Sequence, residues 1–202
     1  MPKDGTLLEK TEIKITKELL DIWKAKKVSP EEIKRWTANA KEVILYKIVY
    51  QSNGHRVNGF LCEPRHGKGK LPCIIWNRGG SGDFGVIKIG TVFGSLAMMA
   101  EWGYVIVASQ YSGNGGSEGE DDLGGEETLN DVLNLKKVLE QNGKADISRI
   151  GMFGVSRGGM MTYLALAKVK WIKAAVTVAG LADLSVQMKK RKEMVKTYAH
   201  FG

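Results

Sequence analysis

Apolar positions along the first forty residues do not keep a single period. Ile13 and Ile15 alternate as in a strand, whereas Ile15, Leu19, Ile22 and Trp23 recur on one side of a helix. A helix start follows, with Ser29 in the N-cap position, Pro30 at the first helical position and Glu31-Glu32 in the first turn. The spacing predicts a short helical preface over residues 1–40, packed against a main domain over residues 41–202.

Beyond the preface the period becomes that of strands. Glu42 to Tyr50 and Arg56 to Cys62 read as two strands joined by the hairpin signal Ser52-Asn53-Gly54. Strand-like and helical segments then alternate. Strands are expected at Leu71–Asn77, Tyr104–Gln110, Arg149–Gly154 and Ala174–Ala179. Helices are expected near Lys88–Trp102, Glu126–Gln141, Arg157–Lys168 and Asp183–His200. The later strands are continuous apolar runs, the pattern of strands covered by helices on both faces. An antiparallel hairpin feeding a parallel βαβ series is an α/β architecture.

One junction in this series carries chemistry. Gly154-Val155-Ser156-Arg157-Gly158 lies between a predicted strand and a predicted helix. A serine on a tight strand-to-helix turn projects its oxygen above the sheet, and Gly154 and Gly158 remove side chains that would collide there. Ser156 is the candidate nucleophile. The N–H of Arg157, at the helix start, is then aimed where an oxyanion develops in acyl transfer. Arg78, Gly79 and Gly80 follow the Leu71–Asn77 strand, where an α/β-hydrolase supplies its second oxyanion donor.

The segments NRGGSGDFG, QYSGNGGSEGEDDLGGEETLNDV, RIGMFGVSRGGMMT and VTVAGLADL, in that order, resemble the catalytic domain of the prolyl oligopeptidase family. The likeness is greatest to its branch of dipeptidyl aminopeptidase and acylaminoacyl-peptidase-related hydrolases, and runs from about Val43 to Asp183. It implies an α/β-hydrolase fold, with a mostly parallel sheet and an N-terminal antiparallel hairpin. It further implies a serine hydrolase acting on small peptide, acyl-peptide or ester substrates, without cofactor or metal. Arg78 stands where some members carry a tyrosine oxyanion donor, so backbone N–H groups must serve there, or the arginine binds a substrate carboxylate.

The same resemblance exposes a gap. The triad of the fold runs Ser, then Asp or Glu, then His, the last two on loops after further strands. About 46 residues follow Ser156 and accommodate one strand and one helix, so the family's last two strands are not expected. Asp183 and His200 are in the right order but are weak candidates: Asp183 matches an aspartate that is not normally the triad acid, and His200 is two residues from the end. His55 and His66 precede the serine and read as surface histidines. The chain is accordingly expected to be truncated, with Ala174–Ala179 as an exposed apolar edge, and to have little activity alone.

Composition narrows the rest. The 202 residues carry a net charge of +8, unevenly spread: +3 over residues 1–49, −1 over 50–167 and +6 over 168–202. No aromatic interleaving or binding module accompanies the basic tail, so a solvated helix face is expected and not a nucleic-acid partner. No apolar run is long enough to span a bilayer, and a charged N-terminus argues against export. Two cysteines, Cys62 and Cys73, do not make a disulfide framework and are expected reduced, in a cytoplasmic protein.

Gly80-Ser81-Gly82-Asp83-Phe84-Gly85 has dinucleotide-loop spacing, but the next strand ends Ala108-Ser109-Gln110-Tyr111 without the acid that would hold a ribose. The acidic loop with Glu118, Glu120, Asp121, Asp122, Glu126 and Glu127 is expected to be solvated, and to be the place for a free amine should the substrate have one.

Overall fold

The computed structural model describes residues 2–192 and 195–196. The predicted N-cap at Ser29 forms. Ser29 Oγ accepts the Glu32 N–H at 3.2 Å while Glu32 reaches back to Ser29, closing a capping box at the start of α2 (Pro30–Glu42). Thr16 similarly caps α1 (Lys17–Ala25).

The hairpin of β2 (Val43–Ser52) and β3 (His55–Pro64) pairs in register from Val43–Pro64 to Ser52–His55. Its two-residue turn needs left-handed backbone at both positions, which Asn53 (φ 51°) and Gly54 (φ 79°) supply. The chain continues through β4 (Leu71–Asn77), α3 (Ile89–Thr91), a π-helical turn at Val92–Leu96, α4 (Ala97–Glu101), β5 (Val105–Ser109) and α5 (Glu126–Glu140). It ends in β6 (Ala145–Val155), α6 (Arg157–Lys168), β7 (Ile172–Val178) and α7 (Leu184–Lys190). A π turn thus interrupts the helix expected over Lys88–Trp102. The described part of α7 is shorter than the Asp183–His200 span, whose end lies outside the described residues.

The preface is not wholly helical. Leu7–Glu12 forms a strand, β1, pairing antiparallel with β2. Its sequence, LLEKTE, lacks apolar alternation because it is an exposed edge, held by backbone hydrogen bonds and an Arg56–Glu9 ion pair. A charged edge also discourages pairing with another chain.

The sheet order is β1-β2-β3-β5-β4-β6-β7. β4, β5, β6 and β7 run parallel, so their C-terminal ends share one rim. One face packs on α5 and α6 through Val132, Leu135, Leu139, Met160 and Met161. The other packs on the N-terminal helices and on α4, where the Trp23 ring meets Trp36 and Phe93 edge-on at 5.0 and 5.3 Å. Cys62 and Cys73 are buried and unbridged, and burial pushes both thiols up, Cys73 to about 11. As expected, β7 is an exposed apolar edge, with Val176 56% and Val178 49% exposed. Among the described residues, no helix is long and apolar enough to cross a membrane.

Asp131 is a buried carboxylate within this frame. It accepts the Ser112 N–H at 2.7 Å and Asn53 Nδ2 at 3.2 Å, and burial pushes its carboxyl up to about 6. Between about pH 4 and 6 the folded chain therefore holds a proton that the unfolded chain has released. This contribution to stability is present in acid and is lost as pH rises through 6, amounting to about 3 kcal/mol at most. Asp131→Asn does not titrate, so the difference in urea midpoint between parent and variant is expected to change across that window. An identical pH dependence in both would refute the assignment.

Candidate active site

At the end of β6 the backbone turns at one residue. Ser156 adopts φ 54° and ψ −120°, and α6 begins at Arg157. A side chain on left-handed backbone is strained, by about 1–3 kcal/mol when the surroundings hold it there. They do so here. The Ser156 N–H donates to Val178 O on β7 at 2.8 Å, and its carbonyl accepts the Gly159 N–H at 2.9 Å. The exposed side chain stands at the parallel rim.

The glycines around it allow backbone segments to touch. A Cβ on Gly154 would lie 2.2 Å from Gly158 O, one on Gly158 2.0 Å from Asn77 O, and one on Gly79 3.2 Å from Ser156 Cβ. Asn77 ties the layers together by donating to Thr162 Oγ1 at 3.0 Å, while Thr162 donates to Gly158 O at 2.9 Å. The loop after β4 therefore lies directly against the serine turn. Gly80, at φ 71°, bends that loop back so that its Cα faces Phe84 O. The Arg157 N–H is the first of α6, a donor with no intrahelical acceptor.

Between loop and serine lies a pocket of about 380 Å³, lined by Trp76, Phe84, Val86, Ile87, Thr91 and Ser156 among others, with no charged side chain. Such walls suit an apolar acyl group or side chain. Phe84, 84% exposed, and Trp76 carry no signal along the chain that marks them as pocket walls. Trp76 lies in the apolar run of β4 and Phe84 in the aperiodic loop that follows, and only the fold brings the two together at the serine.

Arg78 and Arg157 are both buried, at 0% and 3% exposure. The Arg78 guanidinium donates to Gln110 O at 2.9 Å and lies over the Tyr111 ring, and burial lowers its pKa. It does not line the pocket and has no access to a substrate carboxylate, which corrects that expectation. Arg157 donates to both carboxylate oxygens of Asp121, at 2.9 and 2.5 Å. Burial pushes the Asp121 carboxyl up, but the hydrogen bonds and charge of Arg157 outweigh it and hold the group below its usual range.

The acidic loop is thus not simply solvated. Asp121 serves Arg157, and Asp122 accepts the Glu127 N–H at 2.8 Å at the start of α5. Asp183 caps α7, accepting the Val186 N–H at 3.0 Å, with its carboxyl lowered mainly by that bond. His200 lies outside the described residues. His66 is exposed on the loop after β3. His55 is half-buried beside Gly119 at the serine's rim, but three strand positions away across the sheet, roughly 14 Å. Among the described residues, no histidine lines the Ser156 pocket, and no group of three or more His, Cys, Asp or Glu is placed to hold a metal.

Comparisons with known proteins give the family and the fold. Residues 91–202 match the model of the prolyl oligopeptidase family. The chain is 32% identical over 164 residues to the Bacillus subtilis (strain 168) protein named "Uncharacterized peptidase YtmA", covering 81% of this chain and 62% of that relative. The chain therefore spans less than two thirds of the relative's length. Among solved structures, the cell-wall-degrading esterase LipA of Xanthomonas oryzae superposes with a TM-score of 0.63 at 18% identity, covering 93% of this chain and 53% of that one. The acylaminoacyl peptidase of Pyrococcus horikoshii superposes with a TM-score of 0.59 at 26% identity, covering 71% of this chain and 24% of that one. The fold is that of the α/β-hydrolases.

Proposed function

The chain belongs to the prolyl oligopeptidase family, and from that premise we propose that it is the nucleophile-bearing part of a serine hydrolase cleaving small peptide, acyl-peptide or ester substrates. The observation that carries this reading is the strained backbone of Ser156 on a strand–turn–helix bend, φ 54° and ψ −120°, beside an uncharged pocket. In this reading Gly154 and Gly158 are the glycines of a nucleophile elbow.

The reaction follows from the positions. Ser156 Oγ attacks the substrate carbonyl carbon and its proton leaves to a base. The carbonyl oxygen becomes an oxyanion, met by the N–H groups of Arg157 and of the Gly79–Gly80 turn. The leaving amine or alcohol takes a proton, an ester remains on Ser156, and water hydrolyses it. The apolar walls at Trp76, Phe84 and Ile87 favour an apolar group on the acyl side.

Asp183 and His200 are the acid and base candidates within the chain, and the N-cap hydrogen bonds of Asp183 weigh against its serving as the acid. Loss of a serine triad's base costs about 10⁶ in turnover, leaving the residual catalysis of oxyanion donors and binding. We therefore expect the 202-residue chain to be captured slowly by a fluorophosphonate probe, with the adduct on Ser156, and to hydrolyse p-nitrophenyl acetate only weakly. Brisk Ser156-dependent turnover would overturn the inactivity, and an adduct elsewhere would overturn the nucleophile. A non-catalytic α/β-hydrolase-like binding protein is favoured over an enzyme only by the lack of a histidine at the described pocket, and a Ser156 adduct would count against it.

A further inference from the structure

The first three carbonyl groups of the loop after β4, those of Arg78, Gly79 and Gly80, are held by side-chain donors, from Tyr111, from Arg157 and from Arg78 itself. The Tyr111 hydroxyl donates to Arg78 O at 3.2 Å. Arg78 Nη1 donates to Gly79 O at 3.3 Å and to Gly80 O at 3.5 Å. Arg157 Nη1 donates to Gly80 O at 3.1 Å. Every peptide bond here is trans, so each N–H points opposite to the carbonyl of its own peptide unit. Holding the carbonyls of Arg78 and Gly79 therefore turns the N–H groups of Gly79 and Gly80 the other way. Gly79 lies so close to the serine turn that a Cβ there would meet Val155 O at 2.9 Å and Ser156 Cβ at 3.2 Å, so a shift of the loop toward the turn would disturb the serine.

The holding side chains are themselves anchored. Both guanidinium groups lie over the Tyr111 ring, at 4.9 and 5.2 Å from its centre. Asp121 grips Arg157 with both oxygens, and Thr128 Oγ1 accepts from its Nη2 at 3.2 Å. Stability is a poor explanation for such a cluster, since apolar side chains of similar volume commonly serve a core as well as a buried ion pair does. Fixing the orientation of peptide dipoles is different, because it needs rigid, charge-assisted donors.

We propose that Asp121 is a positioning residue for acyl transfer: through the Arg157 guanidinium it holds the Gly80 carbonyl and so fixes the far end of the Gly79–Gly80 turn, while Tyr111 and Arg78 hold the carbonyls of the two peptide units whose N–H groups meet the oxyanion. This rests on the reading of Ser156 as nucleophile. It gives the acidic loop a role that needs no amine or cation from a substrate.

The test is phosphonylation of the full chain by a p-nitrophenyl alkylphosphonate, followed by intact mass and peptide mapping. The Ser156 Oγ–P bond forms, the P–O bond to p-nitrophenolate breaks, and the serine proton passes to solvent. The phosphonyl oxygen needs the same donors as an oxyanion, so a rate can be read even where turnover is slow. Removing one such donor outright costs about 10²–10³ in rate, and mis-aiming it should cost less. Asp121→Asn is expected to lower the limiting rate at least about 10-fold, with half-saturation by the reagent within about 3-fold. Asp121→Glu restores most of the rate, and Tyr111→Phe, which keeps the ring, lowers it about 3- to 10-fold. Circular dichroism fixes the folded fraction, so a merely structural role would change the unfolding midpoint and not the rate of folded protein.

Asp121→Asn reacting at the parental rate would overturn the positioning role while leaving Ser156 as nucleophile. Should that variant not fold, Tyr111→Phe decides, and a parental rate there overturns the proposal equally. Absence of any Ser156 adduct in the parent would remove the nucleophile reading and the positioning role with it.

Discussion

Glycine in place of Ser156 is expected to abolish covalent capture and, at the same time, to make the protein more stable than the corresponding alanine variant. Both variants lose the oxygen, and with it all acylation; where a base is present, the loss is about 10⁶ in turnover. They differ only in the backbone. The left-handed conformation at position 156 costs a side-chain-bearing residue about 1–3 kcal/mol, and alanine retains that cost. Glycine releases it but gives the unfolded chain more freedom, which offsets about 0.4–1 kcal/mol. A net gain of about 1 kcal/mol over Ser156→Ala is the expected outcome, read from urea midpoints at constant slope. Equal midpoints for the two variants would show that the bend is not strained. A Ser156→Gly chain still labelled by a fluorophosphonate would show that the nucleophile is elsewhere.

The second large effect concerns Gly158. A methyl group there would lie 2.0 Å from Asn77 O, 2.5 Å from Asn77 C and 2.7 Å from Arg78 O. These are backbone atoms of a central strand and of the loop against the serine, so no flexible side chain can yield. Gly158→Ala is expected to cost more than about 3 kcal/mol, beyond ordinary overpacking, and to stop labelling of Ser156 even in the folded fraction. Gly143→Ala is the control: nothing lies within 4 Å and its φ is not left-handed, so its effect should stay within about 0.5 kcal/mol. A Gly158→Ala chain with parental stability and labelling would refute the close approach of β4, its loop and α6.

Much of this site is legible before folding, and the residues show why. Gly154, Ser156 and Gly158 are neighbours in sequence, and the apolar run before them and the helical pattern after them identify the bend. Ser29 with Glu32, and Asn53 with Gly54, act over a few residues and are readable for the same reason. Leu7–Glu12 is not legible as a strand because an exposed edge requires no apolar alternation. The π turn at Val92–Leu96 is not legible because it keeps the apolar content of the helix it interrupts.

By itself, then, the sequence determined the type and order of most elements, the caps and turns, and the serine on its bend, because each depends on residues within a turn or two of one another. Only the tertiary structure decided that β5 inserts between β3 and β4. Only it brought Asp121 to Arg157 across 36 positions, and Phe84 and Trp76 to the serine. Those arrangements arise when distant segments share one core and one rim, and the free energy that selects them is a sum over many weak contacts. No short pattern along the chain records that sum.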